Sequence, residues 1–232
     1  MKRLGVILPS SNTTVEYEVT NVLQNSEISC HFARVPLKDV TVRSLECMDK
    51  AVEEAAMLLG DADVNLIVFA CTSGSLIKGR EYDFELSDRI SEAAGCPAIT
   101  TSSAVIDALN VLKAHRICLG TPYIEEVTDR EVSFLEKNGF IVTAKRSLHI
   151  KENKKIGLLT PNDAEVLARS ICSSVSDVVF ISCTNFRTFE VIERLEDELG
   201  KAVISSNSAT LWASLKALDI KCSNFLGRLS KI

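Results

Sequence analysis

The chain has 232 residues, 46% of them apolar, and a net charge of −5 with its histidines neutral. That length fits one large domain or two of ~100–150 residues, and the apolar content is enough for real cores. The charges are mixed in sign with no basic stripe, which argues against nucleic acid, and no apolar run approaches the ~18 residues of a membrane helix.

Short apolar runs alternate with amphipathic segments of helical length. In the first half, strands are expected over residues 4–8, 28–35, 64–70 and 98–100, and helices over 14–24, 44–59 and 82–94. A fourth helix, over 103–113, leads into the second half. There, strands are expected over 116–120, 141–147, 178–181 and 202–205, and helices over 124–138, 163–174, 188–199 and 208–218. Such alternation implies parallel sheets covered on both faces. Gly60, Gly95 with Pro97, Gly139 and Gly200 punctuate the elements. The opening Met1-Lys2-Arg3-Leu4-Gly5-Val6-Ile7-Leu8 imitates a secretion signal. Its apolar stretch ends at Pro9, too short for the usual ~7–15-residue core, and it reads as the first strand.

The halves repeat each other. Val64-Asn65-Leu66-Ile67-Val68-Phe69-Ala70-Cys71-Thr72 matches Asp177-Val178-Val179-Phe180-Ile181-Ser182-Cys183-Thr184, with the cysteines 112 residues apart. Pro9 lines up with Pro122 at an offset of 113, and the segment around Thr100-Thr101-Ser102-Ser103 with Ser205-Ser206-Asn207-Ser208 at 105. Two copies make a duplicated domain, not a solenoid, which needs about three. The fall in offset places a seven-residue excess after Cys71, so residues 73–84 are a candidate lid loop. No low-complexity linker separates the halves. They should pack closely and exchange helices near the crossover. Residues 1–104 with 208–232 are expected to form the first lobe, and 105–207 the second.

In open parallel sheets, ligands sit beyond the carboxyl ends of the strands. The four loops expected there begin at Pro9, Cys71, Thr121 and Cys183. They are rich in hydroxyl and amide side chains, among them Asn12, Thr72, Ser73 and Thr184. Such loops cradle an anion without lysine or arginine. Cys71 and Cys183 are the candidate reactive pair. A helix start beside either would lower its thiol pKa. Against this, cysteine is often simply buried, and that reading suits Cys118, within a strand, and Cys172, within a helix. Cys30, Cys47, Cys96 and Cys222 have no repeat partner and are assigned no role. Asn12 is a carboxylate ligand or a helix cap. Tyr123 is a hydroxyl donor or packing. Arg187 is a carboxylate ligand or a solvated arginine. For Asn207 and Trp212, capping and packing suffice. The three histidines are scattered, so no metal ligand set is expected. Eight cysteines without a secretion signal or a Cys-x-x-Cys motif are expected as free thiols in a cytoplasmic location.

Pro9-Ser10-Ser11-Asn12-Thr13-Thr14-Val15-Glu16, Ala70-Cys71, Pro122-Tyr123, Asn153-x-x-Ile156-Gly157 and Ser182-Cys183 together resemble the aspartate/glutamate racemase superfamily. The branch resembled is that of maleate isomerases and arylmalonate decarboxylases. The likeness covers nearly the whole chain. It implies an α/β fold of two pseudo-symmetric lobes, each a four-stranded parallel sheet flanked by helices, with the active site between them. It also implies no cofactor, Cys71 and Cys183 as the catalytic pair, and Asn12, Tyr123 and Asn153 as carboxylate ligands. Asn153 rests on the resemblance alone; by itself it reads as an exposed loop residue. Arylmalonate decarboxylases keep only the second cysteine, whereas this chain has both. A cofactor-independent isomerase of a small dicarboxylate such as maleate is therefore expected. An amino-acid or hydantoin racemase, an arylmalonate decarboxylase-like enzyme and a non-catalytic carboxylate-binding protein are the alternatives. The expected partners are a small carboxylate substrate and further copies of the chain in a homo-oligomer.

Overall fold

The fold is given by a computed structural model that describes residues 1–24, 26–221 and 224–232. Cys222 lies outside the described residues. The first half runs β1 (Lys2–Pro9), α1 (Val15–Leu23), β2 (Ile28–Val35), α2 (Val42–Met48), α3 (Val52–Gly60), β3 (Leu66–Phe69), α4 (Thr72–Leu76), α5 (Arg80–Ala94), β4 (Ala98–Thr100) and α6 (Thr101–Val111). The second runs β5 (Arg116–Thr121), α7 (Glu125–Lys137), β6 (Ile141–Ser147), α8 (Asn153–Ile156), α9 (Pro161–Ile171), β7 (Val178–Ile181), α10 (Ile192–Leu199), β8 (Ala202–Ser205) and α11 (Ser206–Ala217).

Each half builds one four-stranded parallel sheet, in the orders β2-β1-β3-β4 and β6-β5-β7-β8. The chain leaves β1 for one edge and returns to its other side as β3. β5 and β7 repeat the manoeuvre. Each sheet therefore has a switch point at which the loop after its first strand meets the loop after its third. Such crevices are where open α/β sheets bind ligands.

The two faces of the sheets have different neighbours. Leu4, Val6 and Val68 of the first sheet share a core with Ile117, Leu119 and Phe180 of the second, and with α6 and α11. The alternate residues, Ile7, Ile67 and Phe69 and then Cys118, Val179 and Ile181, belong to the core beneath the other helices. The period of two in each strand sets this division. Burial of both faces explains why β3 and β7 are apolar throughout. Helix α11 packs on α6, α1 and β3 as well as on its own β8, so the halves are joined by a common core.

The structure departs from the sequence expectation in four segments. Residues 73–84 are not a lid loop. The excess folds as α4 and the start of α5, separated by Gly79 at φ 98°, and residues 72–77 are buried. Ser75 Oγ meets Ser102 Oγ at 2.6 Å and donates to Cys71 O, which holds α4 against α6. The helix expected over 44–59 divides at a 3-10 turn, Asp49–Ala51, where the Asp49 carboxylate is drawn to Lys78 and Arg89. The helix expected from 188 begins only at Ile192, and the N–H groups of Thr188 and Phe189 in the turn before it donate to the Glu18 carboxyl group. Cys172 caps the end of α9 half-buried, rather than lying within the helix.

Gly120 marks the tightest helix-to-sheet contact of the second lobe. A Cβ there would stand 2.8 Å from Leu167 Cγ and 3.1 Å from Ile171 Cδ1 of α9. Gly120→Ala is expected to destabilise the fold by about 1–3 kcal/mol through overpacking. The urea midpoint should fall with the slope unchanged.

Candidate functional site

The loops after β1, β3 and β7 meet where the two lobes join. Their hydrogen bonds cross the seam. Asn12 Nδ2 donates to Thr184 Oγ1 at 3.0 Å, and Thr184 Oγ1 donates onward to Ala70 O at 3.0 Å. Thr72 Oγ1 donates to Ser206 Oγ at 2.7 Å, and the same oxygen accepts the N–H of Cys183 at 2.9 Å. Residues flanking one cysteine are thus bonded to residues flanking the other. Thr13 N–H and Thr14 Oγ1 close the seam further by donating to Asn185.

Local structure places each thiol. Cys71 is the extended residue that enters α4. Gly74 follows one turn on, and a Cβ there would come 2.9 Å from Cys71 Sγ and 2.5 Å from Met48 Cε. Only a glycine lets the helix turn lie so close to the sulfur. Cys183 has φ 100°, a strained conformation for a side chain with a Cβ and one that clusters at functional sites. The turn it makes lets Asn185 N–H reach its own sulfur at 3.3 Å.

Both thiols are closed off, with Cys71 3% and Cys183 5% exposed. Burial pushes Cys71 up to about 11, and the N–H of Gly74 and the hydroxyl of Ser73 only partly offset it. Burial pushes Cys183 up to about 12, against hydrogen bonds from Tyr123 and Asn185 N–H, while the neighbouring Cys71 and Glu131 raise it further. The expected lowering by a helix start is overturned: α4 is a single short turn, and desolvation of a thiolate outweighs it. The mutual influence of the two thiols places them within electrostatic reach of one another.

Asn12, Thr72, Ser73, Asn153 and Thr184 are all buried at this junction, and Tyr123 is buried against Cys183. Asn12 also fills the other role open to it, its Oδ1 accepting Thr14 and Val15 N–H at the start of α1. The hydroxyl hydrogens of Thr72 and Thr184 are committed to protein acceptors. Asn153 is not an exposed loop residue. It opens α8, donates to Ser11 Oγ at 2.9 Å and accepts from Asn185 Nδ2. Above it, Val40 N–H bonds Lys151 O and Asn153 N–H bonds Lys38 O, which clasps a loop from each lobe over the site. A cleft of ≈ 650 Å³ is bounded by Ser11, Lys38, Asp39, Lys151, Glu152 and Lys154, residues of mixed charge. Arg187 stays at the surface, paired with Glu190 and stacked on Tyr17.

Sequence reasoning missed Ser206, Asn185, Glu18 and Glu131. Ser206 stood inside a repeat-matched segment and Asn185 in the loop that begins at Cys183, but hydroxyl and amide residues there signal only turns. Asn207, read as a cap, donates to Glu18 Oε2 and to Thr184 O. No group of three or more histidine, cysteine, aspartate or glutamate side chains able to hold a metal ion occurs among the described residues.

A family model described as arylmalonate decarboxylase matches residues 4–229. A maleate isomerase from Pseudomonas putida is 31% identical over 94% of this chain and 92% of its own. The crystal structure of a variant of the Pseudomonas putida S16 maleate isomerase with maleate superposes with a TM-score of 0.95 at 28% identity, covering 99% of this chain and 97% of that one. A mutant maleate cis-trans isomerase from Nocardia farcinica, with a covalently bound succinylcysteine intermediate, gives 0.94 at 26% identity, covering 99% and 98%.

Two tests follow from the geometry. Gly74→Ala should displace Cys71 and lower its rate of alkylation by iodoacetamide relative to Cys172, read by peptide mass spectrometry. Burial also raises two carboxyls from the usual 4.5, Glu18 to about 7 and Glu131 to about 8. Each binds its proton more tightly folded than unfolded, so the stability it contributes is present below about pH 4.5 and lost as pH rises through 7 to 8. The melting temperature should fall between pH 5 and 8.5 by differential scanning calorimetry, and Glu131→Leu should flatten that fall.

Proposed function

Because the chain belongs to the arylmalonate decarboxylase family, we propose that it is a cofactor-independent isomerase of a small dicarboxylate, of the maleate cis-trans type, with Cys71 and Cys183 as its catalytic pair. The observation that carries this reading is the pair itself: repeat-equivalent thiols whose loops are bonded through Ser206 and through Thr184. The maleate isomerases among the relatives, and the succinylcysteine in the Nocardia farcinica enzyme, support thiol addition to the alkene.

The chemistry balances within the pair. The Cys71 thiolate adds to one alkene carbon as the Cys183 thiol delivers its proton to the other. The double bond becomes a single bond and rotates. The Cys183 thiolate then removes a proton from the carbon it had protonated, and the Cys71–carbon bond breaks, returning the thiolate and the trans alkene. The amide nitrogen of Asn12 has a second hydrogen besides the one given to Thr184, and we assign it to a substrate carboxylate. Tyr123 and Asn153 are assigned to carboxylates as well, together with Ser73 and the backbone N–H groups of Thr72 and Thr184. Neutral donors aimed at the developing enolate supply the electrostatic stabilisation, and positioned proton transfer contributes roughly 10²–10⁴-fold.

Proton NMR of maleate turning over to fumarate tests the reading. Cys71→Ala and Cys183→Ala should each lower kcat by at least about 10²-fold. No turnover by the wild type would sink it. Deuterium uptake at Cα of an amino acid would then favour a racemase, and loss of carbon dioxide from a substituted malonate a decarboxylase. Alkylation of Cys71 and Cys183 no faster than that of Cys172 would favour a binding protein.

A further inference from the structure

Glu18 of α1 is a buried carboxyl that reaches from the first half of the chain into the second. Its Oε1 accepts the N–H groups of Thr188 at 2.5 Å and Phe189 at 3.0 Å, and its Oε2 accepts Asn207 Nδ2 at 2.6 Å. Three donors converging on one group suit a carboxylate, which only accepts. Glu131 stands 113 residues further on, the spacing that relates Pro9 to Pro122, and makes no such bonds. The brace belongs to the Cys183 turn alone.

The bonds do not stop at Asn207. The same Nδ2 also donates to Thr184 O at 3.1 Å. A peptide unit is planar, so the carbonyl of Thr184 and the N–H of Asn185 point in opposite directions from one rigid plate. That N–H reaches Cys183 Sγ at 3.3 Å. One directed path therefore runs from the Glu18 carboxyl, through the Asn207 amide and the Thr184–Asn185 peptide, to the sulfur. Every residue along it is buried, so water does not replace a broken bond.

Glu18 decides which way round the Asn207 amide lies. Asn207 Oδ1 has no hydrogen-bond partner among the described residues. What tells the nitrogen of this amide from its oxygen is the pair of acceptors facing Nδ2, Glu18 Oε2 and Thr184 O. A donor in place of Glu18 Oε2 would turn the amide over and set Oδ1 against Thr184 O. The backbone of Cys183 needs such a brace. Its φ of 100° persists only where the surroundings over-determine it. Upstream, its own N–H is held by Ser206 Oγ at 2.9 Å; downstream, the turn is tied to Glu18 at Thr188 and Phe189.

We propose that Glu18 is a positioning residue for Cys183: its carboxyl orients the Asn207 amide, the amide fixes the Thr184–Asn185 peptide, and the peptide N–H is thereby aimed at the sulfur. The consequence for turnover rests on Cys183 being the proton-donating thiol of the proposed reaction. When that thiol gives its proton to carbon, the sulfur becomes an anion, and a hydrogen bond to an anion is stronger than one to the neutral group. The N–H therefore acts on the transition state more than on bound substrate. Cys71 is arranged differently. Its sulfur lies 4.0 Å from the Ser73 hydroxyl and against the turn closed by Gly74, all within α4. The bonds of Glu18 and Asn207 go to Thr184, Thr188 and Phe189 and not to α4, which makes Cys71 the internal control.

The test is the rate of alkylation by iodoacetamide at pH 8.5, read peptide by peptide in the full-length wild type, Glu18→Gln and Asn207→Leu. At that pH Glu18, raised by burial to about 7, is ionised. Glutamine keeps an oxygen for Thr188 and Phe189 but sets an amide nitrogen against Asn207. Leucine removes the amide and leaves Glu18 in place. The two cut one path from opposite ends, so either decides the matter if the other fails to fold. Losing a hydrogen bond to the thiolate raises the Cys183 thiol by about one to two units, and the greater nucleophilicity of the more basic sulfur offsets about half of that. Alkylation of Cys183 should slow by about three- to tenfold, while that of Cys71 changes less than about twofold. The double variant should be no slower than the slower single one. In maleate turnover kcat should fall by a similar factor with KM within about twofold. Unchanged or faster alkylation of Cys183 in either folded variant, or equal changes at Cys71 and Cys183, would overturn the proposal. So would a lowered melting temperature with the ratio of the two rates unmoved, which is the signature of a purely structural brace. Alkylation needs no substrate, so a wild type that leaves maleate untouched refutes the proposed reaction without disturbing this measurement.

Discussion

The oxygen of Ser206 accepts the hydroxyl hydrogen of Thr72 from one lobe and the backbone N–H of Cys183 from the other. It is buried completely, so both bonds form where no water can substitute for them. The relative position of the two cysteine loops depends on this oxygen and on its counterpart across the seam, the Asn12–Thr184–Ala70 chain. The common apolar core brings the sheets together, but apolar contact is not directional. Directed bonds between neutral donors and acceptors are what fix one cysteine loop against the other.

Around the cysteine loops the seam is made of hydroxyls, amides and backbone groups, and the ion pair that crosses it, Asp39 with Lys151, is solvent-exposed. A cation sealed here with a dianionic ligand would bear a large desolvation penalty, whereas neutral dipoles meet an anion at less cost. The same dryness governs the thiols. Burial outweighs the N–H and hydroxyl groups aimed at them, so both are raised above the ordinary cysteine value. Departures from repeat symmetry make them unequal: Cys71 enters a helical turn closed by Gly74, while Cys183 sits in a left-handed turn beside Tyr123 and Glu131.

Duplication thus supplied the frame, and departures from it made the surroundings of the two cysteines different. Glu18 and Glu131 illustrate this. One carboxyl became an anchor for the turn after Cys183, accepting the N–H groups of Thr188 and Phe189. The other makes no hydrogen bond of ordinary length. The seven extra residues after Cys71 likewise became α4, a buried wall of the site that has no equivalent after Cys183.

Strand positions, the parallel sheets, the repeat and the cysteine pair were legible in the sequence, because each rests on a local period or on an offset along the chain. Val64 to Cys71 and Val178 to Cys183 announce their burial by apolar continuity alone. What the side chains of the loops do was not legible. Ser206, Asn185 and Asn153 look like ordinary turn residues, and their roles come from partners up to 172 residues away. The helix boundaries near Asp49 and Thr188 coincide with contacts to distant residues, Lys78 and Arg89 at the first and Glu18 at the second, that no local propensity encodes. The thiol pKa values moved opposite to the expectation for the same reason. A helix start can be read from sequence, but desolvation is a property of the closed tertiary structure, and at this site it is the larger effect.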